Sequence, residues 1–295
     1  MKKFVIVTDS CSDLNRQLRE KYDIDYIPMR IIFNGRDIEA NLDWEEISAK
    51  DYYDLMRKGT IVKTAQITAV QYKEKFEEYI KAGCDILSIT CSSAFSASIA
   101  ASRAAAEELL AVYPDAKIRC IDSLTACSAL GILCITASEM RAEGKTIDEV
   151  ADWLEENKLT INQESTVEKL TYLKNAGRVS AASAFFGGIF QIKPIIISDA
   201  KGMNFAVEKV KGRQASIDRL AARMAEEYEE VPYQKVFITH ADCPEGLEAL
   251  KAAVLKAVPG VKIDHTGYFG PIIGASVGPG TVGVFFYGKK VTVNA

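Results

Sequence analysis

A chain of 295 residues, 48% hydrophobic and 26% charged, has the balance of an ordinary globular protein and the length of two domains. Its net charge of -4, without a run rich in Lys and Arg, argues against a nucleic-acid binder, which needs a basic patch to neutralise phosphates. Seven cysteines lie scattered with no C-x-x-C pair, so no metal site is expected and a reducing cytoplasm fits best.

Phe4 to Thr8 is a β-rich apolar run, shorter than the roughly 7–15-residue core of an export signal, and is read as a first strand. Beyond Asp9, Leu14, Leu18 and Tyr22 share one helical face, with Ser12 as the expected N-cap. Asn34-Gly35 between apolar runs signals a hairpin. A helix is predicted from Trp44 to Arg57, and a second one capped by Thr68, with Tyr72, Phe76 and Tyr79 on its buried side. "CDILSITC" from Cys84 is the next strand, and "SSAFSAS" from Ser92 turns into its helix. "AKIRCID" from Ala116 is a further strand. It feeds a mostly buried helix, "SLTACSALGILCITASEM", whose apolar stretch is shorter than the ~20 residues a membrane span needs, so no stable membrane anchor is expected. Thr146 and Glu149 make a T-x-x-E capping box for the helix that follows.

Alternating strands and helices imply a parallel α/β sheet, in which ligands bind outside the carboxyl ends of the strands. Three such ends carry hydroxyls or carboxylates: Asp9 with Ser10, Ser92 to Ser96, and Asp122 with Ser123. From about residue 160 the pattern changes to a short helical segment, a hairpin around "DAKG", a helix from Ala215 to Glu229, the strand "KVFITHA", a helix after Pro244 and a Gly-rich end. The expected architecture is therefore two-domain α/β, a parallel-sheet α/β domain over residues 1–160 and an α+β domain over 161–295.

The hydroxyl row has two readings. One serine caps the helix and the others meet solvent, or Ser92, Ser93 and Ser96 receive a carboxylate or phosphate oxygen at the electropositive first turn. Asp9 lacks the second aspartate that a haloacid-dehalogenase-type phosphatase has two positions on, where Cys11 stands, so it is read as a structural carboxylate accepting backbone N–H groups. Cys11 has no neighbouring histidine to activate it. His240 and His265 are the two histidines, and no G-x-S-x-G elbow supports a Ser-His-Asp hydrolase. An enzyme acting on acyl or phosphoryl groups through Asp9, Ser96 or His240 stays open as an alternative. Phe185, Phe186, Ile189 and Phe190 are either plain core or an apolar slot beside an anion site, which an amphiphile with one acidic head requires.

Several segments, in order, resemble one family. "VTDSCSDL" from Val7 is similar to the DegV family's T-D-S-x-x-D-L, and "VKTAQIT" to its K-T-S-Q-P-S. "SSAFSAS" is similar to S-S-x-L-S-G-T, with Ala97 for the glycine. "LKNAGRVS", "KGR" ending at Arg213, "HAD" at His240 and the closing "GPIIGASVGPG" continue the match across essentially the whole chain. The resemblance implies two α/β domains that enclose a long-chain fatty acid in a cleft between them, with no catalysis and no cofactor. It implies that Thr64 and Ser96 hold the carboxylate, while the family's third contact, a histidine, falls on Ser276. Ser93, Ala97 and Ser123 belong to the implied head-group loop, and Phe185, Phe186, Ile189 and Phe190 to the acyl lining. It further implies a separate fatty acid kinase as partner, with Arg213 at its docking surface and Arg178 as an inter-domain contact. A binder of another apolar acid is the alternative that Ser276 raises.

Overall fold

The computed structural model describes residues 3–179 and 191–294. In chain order, β1 (Phe4–Asp9) leads through a 3-10 turn to α1 (Arg16–Tyr22), β2 (Ile24–Ile27) and the strand pair β3 (Arg30–Phe33) and β4 (Arg36–Glu39). There follow α2 (Ala49–Arg57), β5 (Lys63–Ala65), α3 (Ala69–Lys81), β6 (Asp85–Thr90) and α4 (Ser98–Val112). β7 (Ile118–Asp122), α5 (Cys127–Ala142) and α6 (Ile147–Asn157) close this half. β1, β2, β6 and β7 form a parallel sheet in the order β2-β1-β6-β7, and β3, β4 and β5 a small antiparallel one. Asn34-Gly35 makes the β3–β4 turn with both residues at positive φ, as a tight primed hairpin requires.

α5 is buried on every side from Cys127 to Ser138, so its apolar residues are not confined to one stripe. It packs so closely on the turn after β1 that a Cβ on Gly131 would lie 2.6 Å from the Ser12 carbonyl oxygen. Thr146 caps its helix with the expected box, closed by Glu149, and the expected cap Thr68 also forms a box, closed by Gln71.

Two expectations need correction. Ser12 lies within the 3-10 turn, and α1 is capped by Asn15, whose side chain accepts from Leu18 N at 3.0 Å. α2 begins at Ala49 behind a Ser48 cap, because Trp44 sits at φ 59, outside helical space.

The second half begins with β8 (Ile161–Thr166), α7 (Thr171–Ala176), β9 (Ile192–Ser198), β10 (Asn204–Lys211) and α8 (Arg213–Glu227). β11 (Phe237–His240), α9 (Pro244–Ala257), β12 (His265–Tyr268), α10 (Pro271–Val277) and β13 (Val282–Tyr287) complete it. Its sheet runs β10-β9-β8-β13-β11-β12, all antiparallel except β11 with β12. β8 reads "INQEST", a polar string, yet every residue of it is buried. Its charged group is paired instead of solvated: Glu164 is held bidentately by Arg223 of α8 at 2.7 and 2.9 Å.

One apolar cluster runs from Phe4 and Ile6 of β1 through α5 to Phe269, Ile273 and Phe285, so the halves share a core. A second lies between the six-stranded sheet and α8 with α9, around Leu220, Ile238, Leu250 and Phe286. Polar ties cross the same boundary: Tyr52 Oη donates to Pro271 O at 2.6 Å and Tyr53 Oη to Phe269 O at 2.7 Å. Among the described residues no helix is long and apolar enough to cross a membrane.

Candidate functional site

The carboxyl ends of β1, β6 and β7 lie side by side, and the loops leaving them are tied through backbone groups. Asp9 accepts from Cys11 N at 2.8 Å and from Cys91 N at 2.9 Å, stitching the first two loops together, as a structural carboxylate does. Burial pushes its pKa upward against those two N–H groups, which pull it down. Asp122 Oδ1 does the same for the next pair of loops, accepting from Ser93 N at 3.1 Å and Leu124 N at 3.2 Å.

The expectation that one of these serines caps α4 needs correction: the N-cap is Ala97, which makes no side-chain cap bond, and the serines close the turn ahead of it. Ser92 is buried, and its Oγ accepts from Ala94 N at 3.1 Å. Its contact with the second half is so close that a Cβ on Gly202, at φ 80, would lie 2.2 Å from that oxygen. Ser96 Oγ accepts from Ser98 N at 3.2 Å and lies 2.9 Å from Ser98 Oγ, which turns the chain into α4. Ser96 is also half-buried at the edge of a cavity. Gln66 reaches across to accept from Ala97 N at 3.1 Å, joining the Thr64 strand to the start of α4.

The cavity holds about 370 Å³ and draws its walls from both halves of the chain. Thr64 on β5, Ser96 before α4 and Ser276 on α10 all face it, although they are far apart in sequence. Thr64 is exposed, while Ser96 and Ser276 are half-buried, so the hydroxyls occupy its mouth. Behind them Met29, Leu173, Phe269, Ile273 and Phe285 are buried and apolar. Arg178 is the one charged side chain among the described lining residues. Its Nε donates to Phe95 O at 3.0 Å and its Nη1 to Ala176 O at 2.5 Å, which spans the two halves beside Ser96. Gln163 and Ser165 of β8 and Asn204 of β10 add a polar strip, with Gln163 Nε2 donating to Asn204 Oδ1 at 3.0 Å.

Other expected residues stand elsewhere. Ser93 and Ala97 are exposed and Ser123 is buried, and none of the three lines the cavity. Ser123 is spent on its own loop, donating to Thr125 O at 3.1 Å. Phe185, Phe186, Ile189 and Phe190 lie outside the described residues. Arg213 opens α8 and donates from Nη2 to Gly280 O at 2.6 Å, in a separate recess of about 610 Å³ shared with Arg57, Lys169 and Tyr172. That recess borders the Pro279-Gly280 turn, three residues past Ser276. His240 accepts from Cys243 N through Nδ1 at 2.9 Å, packs on Tyr268 and does not line the cavity, and burial lowers its pKa.

Gln66, Gln163, Ser165 and Asn204 had no sequence signal as site residues, because neither half alone contains the cavity. The arrangement suits an acid with an apolar tail: hydroxyls and a guanidinium at the mouth, and aromatic and aliphatic walls behind. Among the described residues the side-chain partner of Ser96 is another hydroxyl, that of Ser98.

The DegV family model, described as "Uncharacterised protein, DegV family", matches residues 3–289. A DegV domain-containing protein of Clostridium perfringens is 38% identical over 290 residues, covering 98% of each chain. A DegV lipid-binding protein of Thermotoga maritima superposes with TM-score 0.84 at 27% identity, over 98% of this chain and 100% of its own. A second Thermotoga maritima structure, described as revealing a fatty acid binding function, superposes with TM-score 0.82 at 26% identity, with the same coverage.

Proposed function

Because the chain belongs to the DegV family, we propose that it binds a long-chain fatty acid between residues 1–160 and 161–295 and has no turnover of its own. The observation that carries this reading is the joint one: Thr64, Ser96, Ser276 and Arg178 line the same cavity as the buried apolar side chains Met29, Leu173, Phe269, Ile273 and Phe285. The hydroxyls would donate to the carboxylate, and the guanidinium would supply the positive charge that Ser276 cannot. Burial of about 14 methylenes at ~0.8 kcal/mol each is a gross term near ~11 kcal/mol, against ~0.5–1.5 for one neutral hydrogen bond. The tail therefore dominates affinity, and the mouth sets orientation.

An exposed Thr64 leaves the head group within reach of a second protein, which supports a cytoplasmic carrier that presents the carboxylate to a separate kinase. Arg213, in its recess beside the turn that follows α10, is the residue proposed to meet that kinase. No cofactor is needed for such a role.

The test is to purify the protein without added lipid, denature it and analyse the extract by mass spectrometry. About one equivalent of a long-chain fatty acid is the expected result. A second reading, an apolar acid carrying a further polar group, is favoured by Gln163, Ser165 and Asn204, and the same extract would reveal it. A protein that comes out empty and takes up neither added fatty acid nor an oxygenated analogue would overturn both.

A further inference from the structure

The cavity wall holds a sulfur cluster that fatty-acid binding does not use. Cys11, Cys91 and Cys127 line it, and all three are buried free thiols. Cys11 Sγ lies 3.8 Å from Met29 Sδ. The Cys11 and Cys91 sulfurs lie within 4.8 Å of each other and of an Asp9 carboxylate oxygen. Topology brings the pair together. β1 and β6 are parallel neighbours with Val7 opposite Ser88, so the two cysteines leave the sheet side by side just past the strand ends.

Two thiols and a thioether are ligands for a soft metal ion. Electrostatics argue against that use. Two thiolates beside Asp9 would leave negative charge in a buried site, and Arg178 is already bonded to Phe95 and Ala176. Asp9 also has both oxygens on backbone N–H groups. A disulfide, by contrast, leaves no charge behind.

We propose that Cys11 and Cys91 form a dithiol site that reduces a hydroperoxide entering the cavity and closes to a disulfide. One sulfur attacks the terminal oxygen of the hydroperoxide; the O–O bond breaks, the alcohol leaves with the thiol proton, and a sulfenic acid forms. The second sulfur attacks the first; the S–O bond breaks, water leaves, and the S–S bond forms. The two thiols together give up two electrons and two protons, which the hydroperoxide takes up as alcohol and water. Adjacent strands run ~4.8 Å apart, within the spacing that a disulfide bridges between Cα atoms.

The hydrogen bond to Cys91 pushes the Cys11 thiol well above its ordinary range, and burial and the Asp9 charge add to this. Attack needs the thiolate, so closure speeds up as pH rises. The hydroperoxide has two sources: a long-chain acyl hydroperoxide seated in the cavity, which rests on the fatty-acid reading, or hydrogen peroxide entering an empty one.

The experiment treats delipidated full-length protein with equal concentrations of hydrogen peroxide or a long-chain acyl hydroperoxide, then alkylates under denaturing conditions and maps the peptides. The expected product is a Cys11–Cys91 cross-linked peptide, formed equally in Cys127→Ser and absent in Cys11→Ser and Cys91→Ser. Closure about tenfold faster with the acyl hydroperoxide, suppressed by stearate, assigns the bound source, since seating raises the effective concentration. Equal rates assign the free peroxide. Oxidation confined to the half-buried Cys84 and Cys120, with Cys11 and Cys91 still alkylated, overturns the proposal. If that occurs while stearate still binds, the fatty-acid reading stands without the dithiol. If hydrogen peroxide closes the pair while stearate neither binds nor protects, the dithiol stands without the fatty acid.

Discussion

Two loops leave neighbouring strands at the same edge of the first sheet and spend their polar side chains in opposite ways. Around residues 9–13 they are turned inward: Asp9 holds Cys11 N and Cys91 N, Ser10 Oγ accepts from Met29 N at 2.9 Å, and Asp13 Oδ1 accepts from Gly270 N at 2.8 Å. Around residues 92–98 the serines close short turns, but Ser96 remains half-buried on the cavity. Both loops carry the residue types of an active site. What separates them is where capacity is left: Ser12 Oγ and Asp13 Oδ2 are buried without a partner among the described residues but away from the cavity, and a group with capacity left at the cavity is a candidate contact.

Asp9→Ala is the largest way to break this contrast. It leaves two buried N–H groups without an acceptor, and each orphan costs about 1–3 kcal/mol, so a loss of roughly 2–6 kcal/mol is expected in urea unfolding. Asp9→Asn keeps one acceptor and should lose about half of that. The sign with pH also follows. Burial raises the folded pKa above 3.8, so the native state binds the proton more tightly than the unfolded chain does. The stability from that proton is full below the unfolded pKa and is lost as pH rises through the folded one. The cost of Asp9→Asn should accordingly shrink as pH rises. A variant as stable as wild type that loses ligand would instead make Asp9 a contact residue.

Arg178→Met sharpens the other side of the comparison. The side chain spans Phe95 and Ala176 and also faces the cavity, so it is framework and contact together. Loss of a charge-assisted hydrogen bond costs about 1.5–3 kcal/mol, or roughly 10–100-fold in affinity for a fatty acid. Binding of the corresponding fatty alcohol, which brings no carboxylate, should change far less. Equal losses for acid and alcohol would mean that Arg178 acts only by holding the two halves together.

The same contrast explains how much could be read from the chain. The parallel sheet, the Asn34-Gly35 hairpin, the Thr146–Glu149 capping box and the buried α5 were legible, because each rests on local periodicity or turn chemistry. β8 was not. "INQEST" has no apolar alternation, and its burial depends on Arg223 and Asn204, which arrive from distant elements. Thr64, Ser96 and Ser276 were reached through family resemblance, and they do face one cavity. Ser93 and Ser123 were suggested by the hydroxyls at two strand ends and Ala97 by the family motif, and none of the three lines the cavity. Cys11 and Cys91, 80 positions apart, looked like scattered thiols because parallel pairing leaves no mark of which strand ends will meet.

Ser96→Ala carries the smallest effect and the finest discrimination. It removes one neutral donor to the ligand, about 0.5–1.5 kcal/mol, or roughly 2–10-fold in fatty acid affinity. It also removes the acceptor for Ser98 N at the start of α4, so a modest loss of stability accompanies it. Ser96→Thr keeps the hydroxyl and should restore both. Ser123→Ala is the matched control, since the Ser123 hydroxyl bonds to Thr125 of its own loop: it should reduce stability and leave affinity unchanged. If Ser123→Ala weakened ligand binding as much as Ser96→Ala, spare hydrogen-bonding capacity at the cavity would not be what distinguishes the two serines. Both loops would then act on the ligand through the shape they give the cavity.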